Sequence, residues 1–282
     1  MLRLIQLELQ KLWLNKASRV LIIISFILPF TVLILSSIKI NFFGFFTLEL
    51  GELGIFNFPI IWHITTFFAA QFKFFFAIVV VSMIGNEYSN KTLKQNLIDG
   101  LSKKEFILSK FYTVVVFALI STIFVFIISL ILGLTYSDYT ELAIITSGLQ
   151  YLFAFFIKLV GFFSMGLFFG ILVKRSAFAV GAMVVWFIGE SMFKGYLLWN
   201  YRDAVNTSES VDSITQFLPF EAMSNLIKEP VSRLGAVKSI ANQIGENITK
   251  SYDVEFLTIL IVSVWTFIFI YLSYALLKKR DL

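Results

Sequence analysis

The sequence predicts an all-α integral membrane protein with six transmembrane helices. Three observations predict it. Of 282 residues, 58% are hydrophobic and the mean hydropathy is +0.86, whereas soluble domains run at about 45–50% apolar. Only 15% are charged, and these gather between apolar runs. Six such runs recur, each near the ~20 residues that a bilayer-crossing helix needs. There is no cysteine, which excludes a disulfide framework, a thiolate metal site and a thiol nucleophile. The net charge of +5 fits lysines and arginines flanking spans better than nucleic-acid binding. The 34 phenylalanines suit lipid contact, and an AT-rich genome explains them equally well.

Residues 1–15 lack the apolar core and small-residue cleavage site of a signal peptide. Leu2, Ile5, Leu9 and Leu12 recur at helical spacing with Trp13 beside them, while Glu8, Lys11 and Asn15 lie to one flank. That pattern reads as an amphipathic helix in the inner interface, or more simply as a cytosolic lead-in to the first span. Residues 20–38 form that span, with Pro29 inside it as a kink that packed neighbours tolerate. Residues 39–60 read as a loop. The second span covers 61–84, with Trp62 placed for the outer interface.

Residues 85–110 are a polar interruption rich in lysine (Lys91, Lys94, Lys103, Lys104, Lys110). Ser89 or Asn90 can cap a first helical piece, and Gly100 ends it as the C′ residue. Ser102 and Glu105 form a capping box for the next helix. The short piece places Leu93, Leu97 and Ile98 on one side. A capped, half-polar helix between two spans is suited to docking on another protein. The third span follows at 106–134, the fourth at 143–173, the tight turn Lys174-Arg175, and the fifth at 177–199. Residues 200–254 are polar, residues 255–277 form the sixth span, and residues 278–282 form a basic tail.

Six spans put both termini on one side. That side carries fourteen lysines and arginines against five acids, while the other holds Glu49, Glu52, Asp138, Glu141 and most acids of 200–254. The positive-inside rule therefore makes the termini and the 85–110 loop cytoplasmic.

The loop has the form E-x-x-x-x-T-L-x-x-x-L-x-x-G-L-S-x-x-x-F-x-x-x-K, carried by Glu87, Thr92, Leu93, Leu97, Gly100, Leu101, Ser102, Phe106 and Lys110. With the amphipathic N-terminal helix, six spans and a basic-Asp-Leu tail, it resembles the permease subunit of a type-2 ABC (ATP-binding cassette) transporter, an export-type family, over nearly the whole chain. The resemblance implies a cytosolic coupling helix within 85–105 that sits in a cleft of a separate ATP-binding subunit, with Glu87, Thr92, Leu93, Leu97 and Ser102 at the coupling positions. It implies that ATP and magnesium belong to a pair of such ATPase subunits, and that a second permease, a copy or a paralogue, completes the pathway. It also implies a bacterial cytoplasmic membrane and a re-entrant segment before the last span. Phe217-Leu218-Pro219-Phe220 opens a short apolar stretch (222–227) that suits such a piece, Pro230 ends it, and residues 231–250 read as a surface helix pair. The segments are then 1–15 interfacial, 16–199 spans one to five, 200–254 external or re-entrant, and 255–282 the last span and tail. The alternative for Leu93 and Leu97 is packing on lipid or neighbouring spans.

No catalytic motif is present. No G-x-x-x-x-G-K-[ST] phosphate loop occurs, so ATP is not cradled by this chain in the usual way. His63 is the sole histidine and reads as a polar residue near the outer end of its span, not a metal ligand. Four ionisable residues fall within spans: Lys73, Lys158, Glu190 and Lys194. Lys194 can snorkel; the deeper three are functional candidates, lining a polar or substrate path. The tight turn makes the fourth and fifth spans neighbours, so Lys158 and Glu190 are expected to pair or share a cavity, as a structural bridge or as part of the path. Gly161, Gly166 and Gly170 form a close-packing face, expected to serve an internal contact. The function classes left are an export permease for an amphipathic or hydrophobic cargo, an ABC-linked force-transmitting or assembly component, and a secondary transporter, for which no internal repeat is seen.

Overall fold

The computed structural model describes residues 2–36, 40–42, 46–48, 54–202, 207–233 and 251–280. Most of the expected 231–250 helix pair lies outside the described residues, as do Asp281 and Leu282 of the tail.

Among the described residues the chain is helical apart from one small hairpin. Helix α1 (Leu2–Leu14) meets α2 (Lys16–Ser36) at 89°. Asn15 makes that corner, because its Oδ1 accepts the N–H groups of Ala17 (3.0 Å) and Ser18 (3.2 Å), an N-cap that starts α2 in a new direction. The expected loop after α2 contains an antiparallel pair, β1 (Ile40–Phe42) and β2 (Phe46–Leu48), in register Ile40 to Leu48. The second apolar run is not one helix: α3 (Ile60–Gln71) and α4 (Lys73–Ser89) are bent by 47° about Phe72. Then come α5 (Thr92–Ile98), α6 (Lys103–Tyr136), the short α7 (Leu142–Thr146), α8 (Gln150–Val173) and α9 (Ser176–Asn200). Short helices α10 (Thr207–Thr215) and α11 (Pro219–Asn225) and a 3-10 turn (Val231–Arg233) precede α12 (Phe256–Lys279). Four segments, α6, α7–α8, α9 and α12, are long and apolar enough to cross a membrane; α1/α2 and α3/α4 qualify only if each bent pair is one span.

Contacts between distant residues give the rods their directions. At one end lie the start of α6, the end of α4, the end of α8 and the end of α12, joined through Lys110, Glu87, Tyr88 and Arg280. At the other, Phe58 N–H donates to Ser137 Oγ (3.1 Å) and Lys228 pairs with Glu255 (2.8 Å). The first is called the basic end and the second the far end.

Helix α8 is the axis. It packs against α3, α4, α6, α9, α11 and α12, and 17 of its residues are buried, against 3 in α9 and 5 in α12. Its glycine face serves internal contacts: a Cβ on Gly170 would stand 3.0 Å from Ile84 Cβ on α4, and one on Gly161 would stand 2.8 Å from Val262 on α12. We expect Gly170→Leu to overpack the α4–α8 seam and cost about 1–3 kcal/mol, lowering the melting temperature in detergent. Gly181→Leu, where nothing lies within 4 Å, should leave it unchanged. An equal fall in both variants would refute the seam.

Phenylalanines fill this core rather than only facing lipid. Phe76, Phe117, Phe162 and Phe163 are buried, and Phe76 meets Phe117 edge-on at 5.2 Å, an arrangement worth ~0.5–1.5 kcal/mol beyond burial. Trp62, expected near the outer end of its span, faces inward. It is fully buried, stacked on Phe126, and its Nε1 donates to the Ile145 carbonyl (2.8 Å). The bend at Phe72 and the return of α7 beside α3 bring it inside. His63 is likewise buried, stacked 4.2 Å from the Tyr151 ring with Nε2 2.8 Å from the Lys228 carbonyl.

Candidate functional site

The loop between α4 and α6 keeps its expected ending and second cap, but neither Ser89 nor Asn90 caps α5: Ser89 ends α4, Asn90 follows it, and Lys91 stands at the N-cap position without a side-chain bond. Lys91 takes a left-handed conformation (φ 56°) that turns the chain from α4 into α5. Gly100 (φ 99°) ends α5, with Gly100 N–H donating to the Leu97 carbonyl (3.2 Å) and Leu101 N–H to the Asn96 carbonyl (3.0 Å). That pair of bonds is a Schellman ending. Ser102 then caps α6: its Oγ accepts from Glu105 N–H (3.1 Å) and its own N–H donates to Glu105 Oε2 (2.9 Å).

The orientation of α5 corrects one expectation. Leu93 is buried (2% exposed) and Leu97 is partly buried against the core, so both anchor the helix to its own chain and neither is an exposed anchor for a partner. The apolar side chain left outside is Ile98, 69% exposed, beside the exposed Lys94 and Gln95. A seven-residue helix turns each anchor inward at the expense of the residue beyond it.

Behind α5 lies a buried charge cluster. Lys110 of α6, with none of its surface exposed, reaches Glu8 Oε2 of α1 (2.5 Å) and Glu87 Oε1 of α4 (2.6 Å). Lys11 bridges the same two carboxylates at 3.2 and 3.0 Å. Thr92 Oγ1 donates to Glu87 Oε2 (2.5 Å), which fastens the first residue of α5 to the cluster. Two cations and two anions balance, and each carboxylate has at least two donors, as burial of charge demands. A pocket of about 310 Å³ opens beside Lys11, Glu87 and Thr92.

Of the expected coupling positions, Glu87 and Thr92 meet here, while Ser102 acts as a cap and stands apart. Sequence marks Lys110 only as a loop lysine and a motif residue, and Glu8 and Lys11 only as the polar flank of α1, without bringing them together. The available signal was that Glu8 stands at 3-4 spacing between Ile5 and Leu12, at the edge of the apolar stripe. Arg280 also went unmarked among the tail cations. Its guanidinium donates to the last carbonyls of α8, at Ile171 and Leu172 (2.9 Å to the latter), and to Tyr88 (3.2 Å). Lys103 Nζ in turn donates to the Arg280 carbonyl (2.8 Å). The end of α12 is thereby bound to α4, α6 and α8, and two of the orphan carbonyls that end α8 gain a donor.

The intramembrane residues separate. Lys158 and Glu190 do not pair, although α8 and α9 are neighbours. Lys158 points into the core and is 2% exposed, within electrostatic range of Lys73; Lys73 lies over the Phe162 ring at 5.3 Å. Neither lysine has a carboxylate partner among the described residues. Glu190 points to the far end instead. Its carboxylate accepts from Trp186 Nε1 (2.5 Å) and from the N–H groups of Phe220 (2.9 Å) and Glu221 (3.3 Å). It therefore takes up donors from the first turn of α11. Lys194, one turn on, reaches Glu221 (2.5 Å) and Asp212 of α10 (2.9 Å). Helix α11 folds back onto α8, α9 and α12, with Phe220, Ala222, Met223, Leu226 and Ile227 buried, as the apolar stretch after Pro219 implied. No group of metal-ligating side chains occurs among the described residues.

A bundle of apolar rods around a buried axis, with charge confined to its ends and a few interior lysines, is a multi-pass membrane protein. The family model described as ABC-2 family transporter protein matches residues 4–190, well over half of the chain, and the chain belongs to that family. The match takes in α1 to most of α9, including the whole charge cluster, and stops before α10, α11 and α12. Membership makes the chain a membrane component of an ABC transporter system, which includes an ATPase partner. No curated protein matches the chain.

Proposed function

We propose that this chain is the six-span permease subunit of an ATP-driven exporter of an amphipathic or hydrophobic cargo, moved by a separate cytosolic ATPase pair that grips α5. One observation carries the reading. Helix α5 exposes Ile98, Lys94 and Gln95 on one side and through Thr92 is fixed to a buried cluster that joins α1, α4 and α6. A push on α5 therefore reaches three long elements without loss in a flexible loop. The excess of cations at the basic end supports a cytoplasmic location for that end and both termini, in the cytoplasmic membrane of a bacterium. ATP and magnesium bind the partner, and this chain is not itself an enzyme. A second permease, identical or paralogous, completes the pathway. Lys73 and Lys158 form the polar part of that pathway's wall, while Glu190 holds the far-end segment.

The test is co-purification with the ATPase encoded beside this chain. Ile98→Asp should lower recovery of the ATPase roughly tenfold, the scale of losing one apolar anchor of about 1.4 kcal/mol, with the permease still folded by size-exclusion profile. Unchanged recovery in Ile98→Asp and in Lys94→Glu would refute docking through α5. The second reading, an ABC-linked component that transmits force without moving a solute, is favoured by the same rigid junction. Nucleotide-dependent efflux from proteoliposomes holding both subunits decides between them. Cargo movement driven by an ion gradient without ATP would favour a secondary transporter.

A further inference from the structure

The corner between α1 and α2 encloses an apolar groove of about 610 Å³ floored by α6, within the size range of ligand sites. Leu12 and Trp13 close it on the α1 side, Ile23 and Ile27 form one wall, and Phe117 and Phe124 form the floor. It is open to the outside of the bundle: Trp13 is 55% and Ile27 58% exposed.

The α2 stripe that lines the groove continues to its rim. Lys16, Arg19, Ile23 and Ile27 follow one another at 3-4-4 spacing, so both cations stand on the groove's own face. Neither pairs with a carboxylate among the described residues. The lining residues of α2, Ile22 to Ile27, lie seven to twelve positions beyond the corner at Asn15. That is ~10–18 Å along the axis, matching the ~15 Å hydrocarbon depth of one leaflet.

We propose that the groove holds one anionic phospholipid of the leaflet at the basic end, with an acyl chain along α2 and α6 and its phosphate against Lys16 and Arg19. The charge of the rim selects the headgroup, and the apolar, α1-capped groove, open sideways, takes a chain. A second copy of this protein fits less well, because a twofold axis would bring two identical cation pairs together. The bound lipid gives α1 a second hold besides the charge cluster, and the site does not depend on the cargo or the direction of transport.

Native mass spectrometry of the full chain in detergent tests this, with added phosphatidylglycerol or phosphatidylcholine of identical acyl chains. The wild type should retain one phosphatidylglycerol in preference to phosphatidylcholine. Lys16→Gln with Arg19→Gln should reduce that preference by roughly fivefold per cation. Ile23→Trp, or Ile120→Trp if the first fails to fold, should reduce retention of both lipids by filling the groove. Lys278→Gln with Lys279→Gln, cations of the same end but outside the groove, should change nothing. The proposal is overturned if the Lys16/Arg19 variant keeps its preference, or if the Lys278/Lys279 variant loses as much. It is equally overturned if the tryptophan variants keep their lipid, or lose a dimer mass in place of it.

Discussion

Lys110→Met is expected to lower stability by about 3–5 kcal/mol, the scale for removing one partner from a buried ion cluster. The variant leaves Glu8 and Glu87, 6% and 3% exposed, facing each other with only the half-exposed Lys11 between them. Helix α1 should detach, and ATPase stimulation by the assembled complex should fall with it. Thermal melting in detergent reads the first effect and nucleotide turnover the second. The triple variant Glu8→Gln, Glu87→Gln, Lys110→Met removes the buried charges, keeps the shapes and leaves only the half-exposed Lys11 charged, where water can reach it, so it should regain most of the lost melting temperature. If Lys110→Met melts like the wild type, the cluster does not hold the junction. If the triple variant melts no better than the single one, charge imbalance is not the cause.

Glu190→Leu is expected to release the far-end segment. It leaves three donors, Trp186 Nε1 and the N–H groups of Phe220 and Glu221, at a cost of about 1–3 kcal/mol for each that finds no other partner. Hydrogen exchange at Phe220 and Glu221 should quicken by roughly tenfold or more. Glu190→Gln keeps an acceptor oxygen in place and should protect those amides nearly as well as the wild type. Equal exchange in wild type and Glu190→Leu would show that packing of Phe220 against Phe162 and Phe187 suffices. If efflux also fails in Glu190→Leu and persists in Glu190→Gln, the carboxylate positions the α11 segment and takes no part as a charge in the path.

What the sequence made legible was local. The cap at Ser102, the ending at Gly100, the turn at Lys174-Arg175, the apolar stretch after Pro219 and the close-packing glycines are each set by residues within one or two turns, and each lies where its chemistry placed it. What it concealed was the direction a charged side chain takes in three dimensions. Lys158 and Glu190 sit on adjacent helices, but the helical phase turns one into the core and the other toward α11, and no spacing rule fixes that phase across a turn. Leu93 likewise obeys the amphipathic pattern, which shows that one face is apolar but not whether its own chain or a partner covers it. The cluster of Glu8, Lys11, Glu87 and Lys110 draws on three elements far apart in sequence, so even where a member such as Glu87 stood out, its partners did not.

The separation within that cluster bears on how the protein is made. Glu8 finds Lys110 across 102 residues and Lys11 finds Glu87 across 76. At a synthesis rate of ~5–20 residues per second, the first helix exists for roughly 5–20 s before its main partner emerges from the ribosome. During that interval the Glu8 carboxylate has no Lys110 to meet, so the docking of α1 can begin only once α6 has started, while the axial helix α8 is still to come.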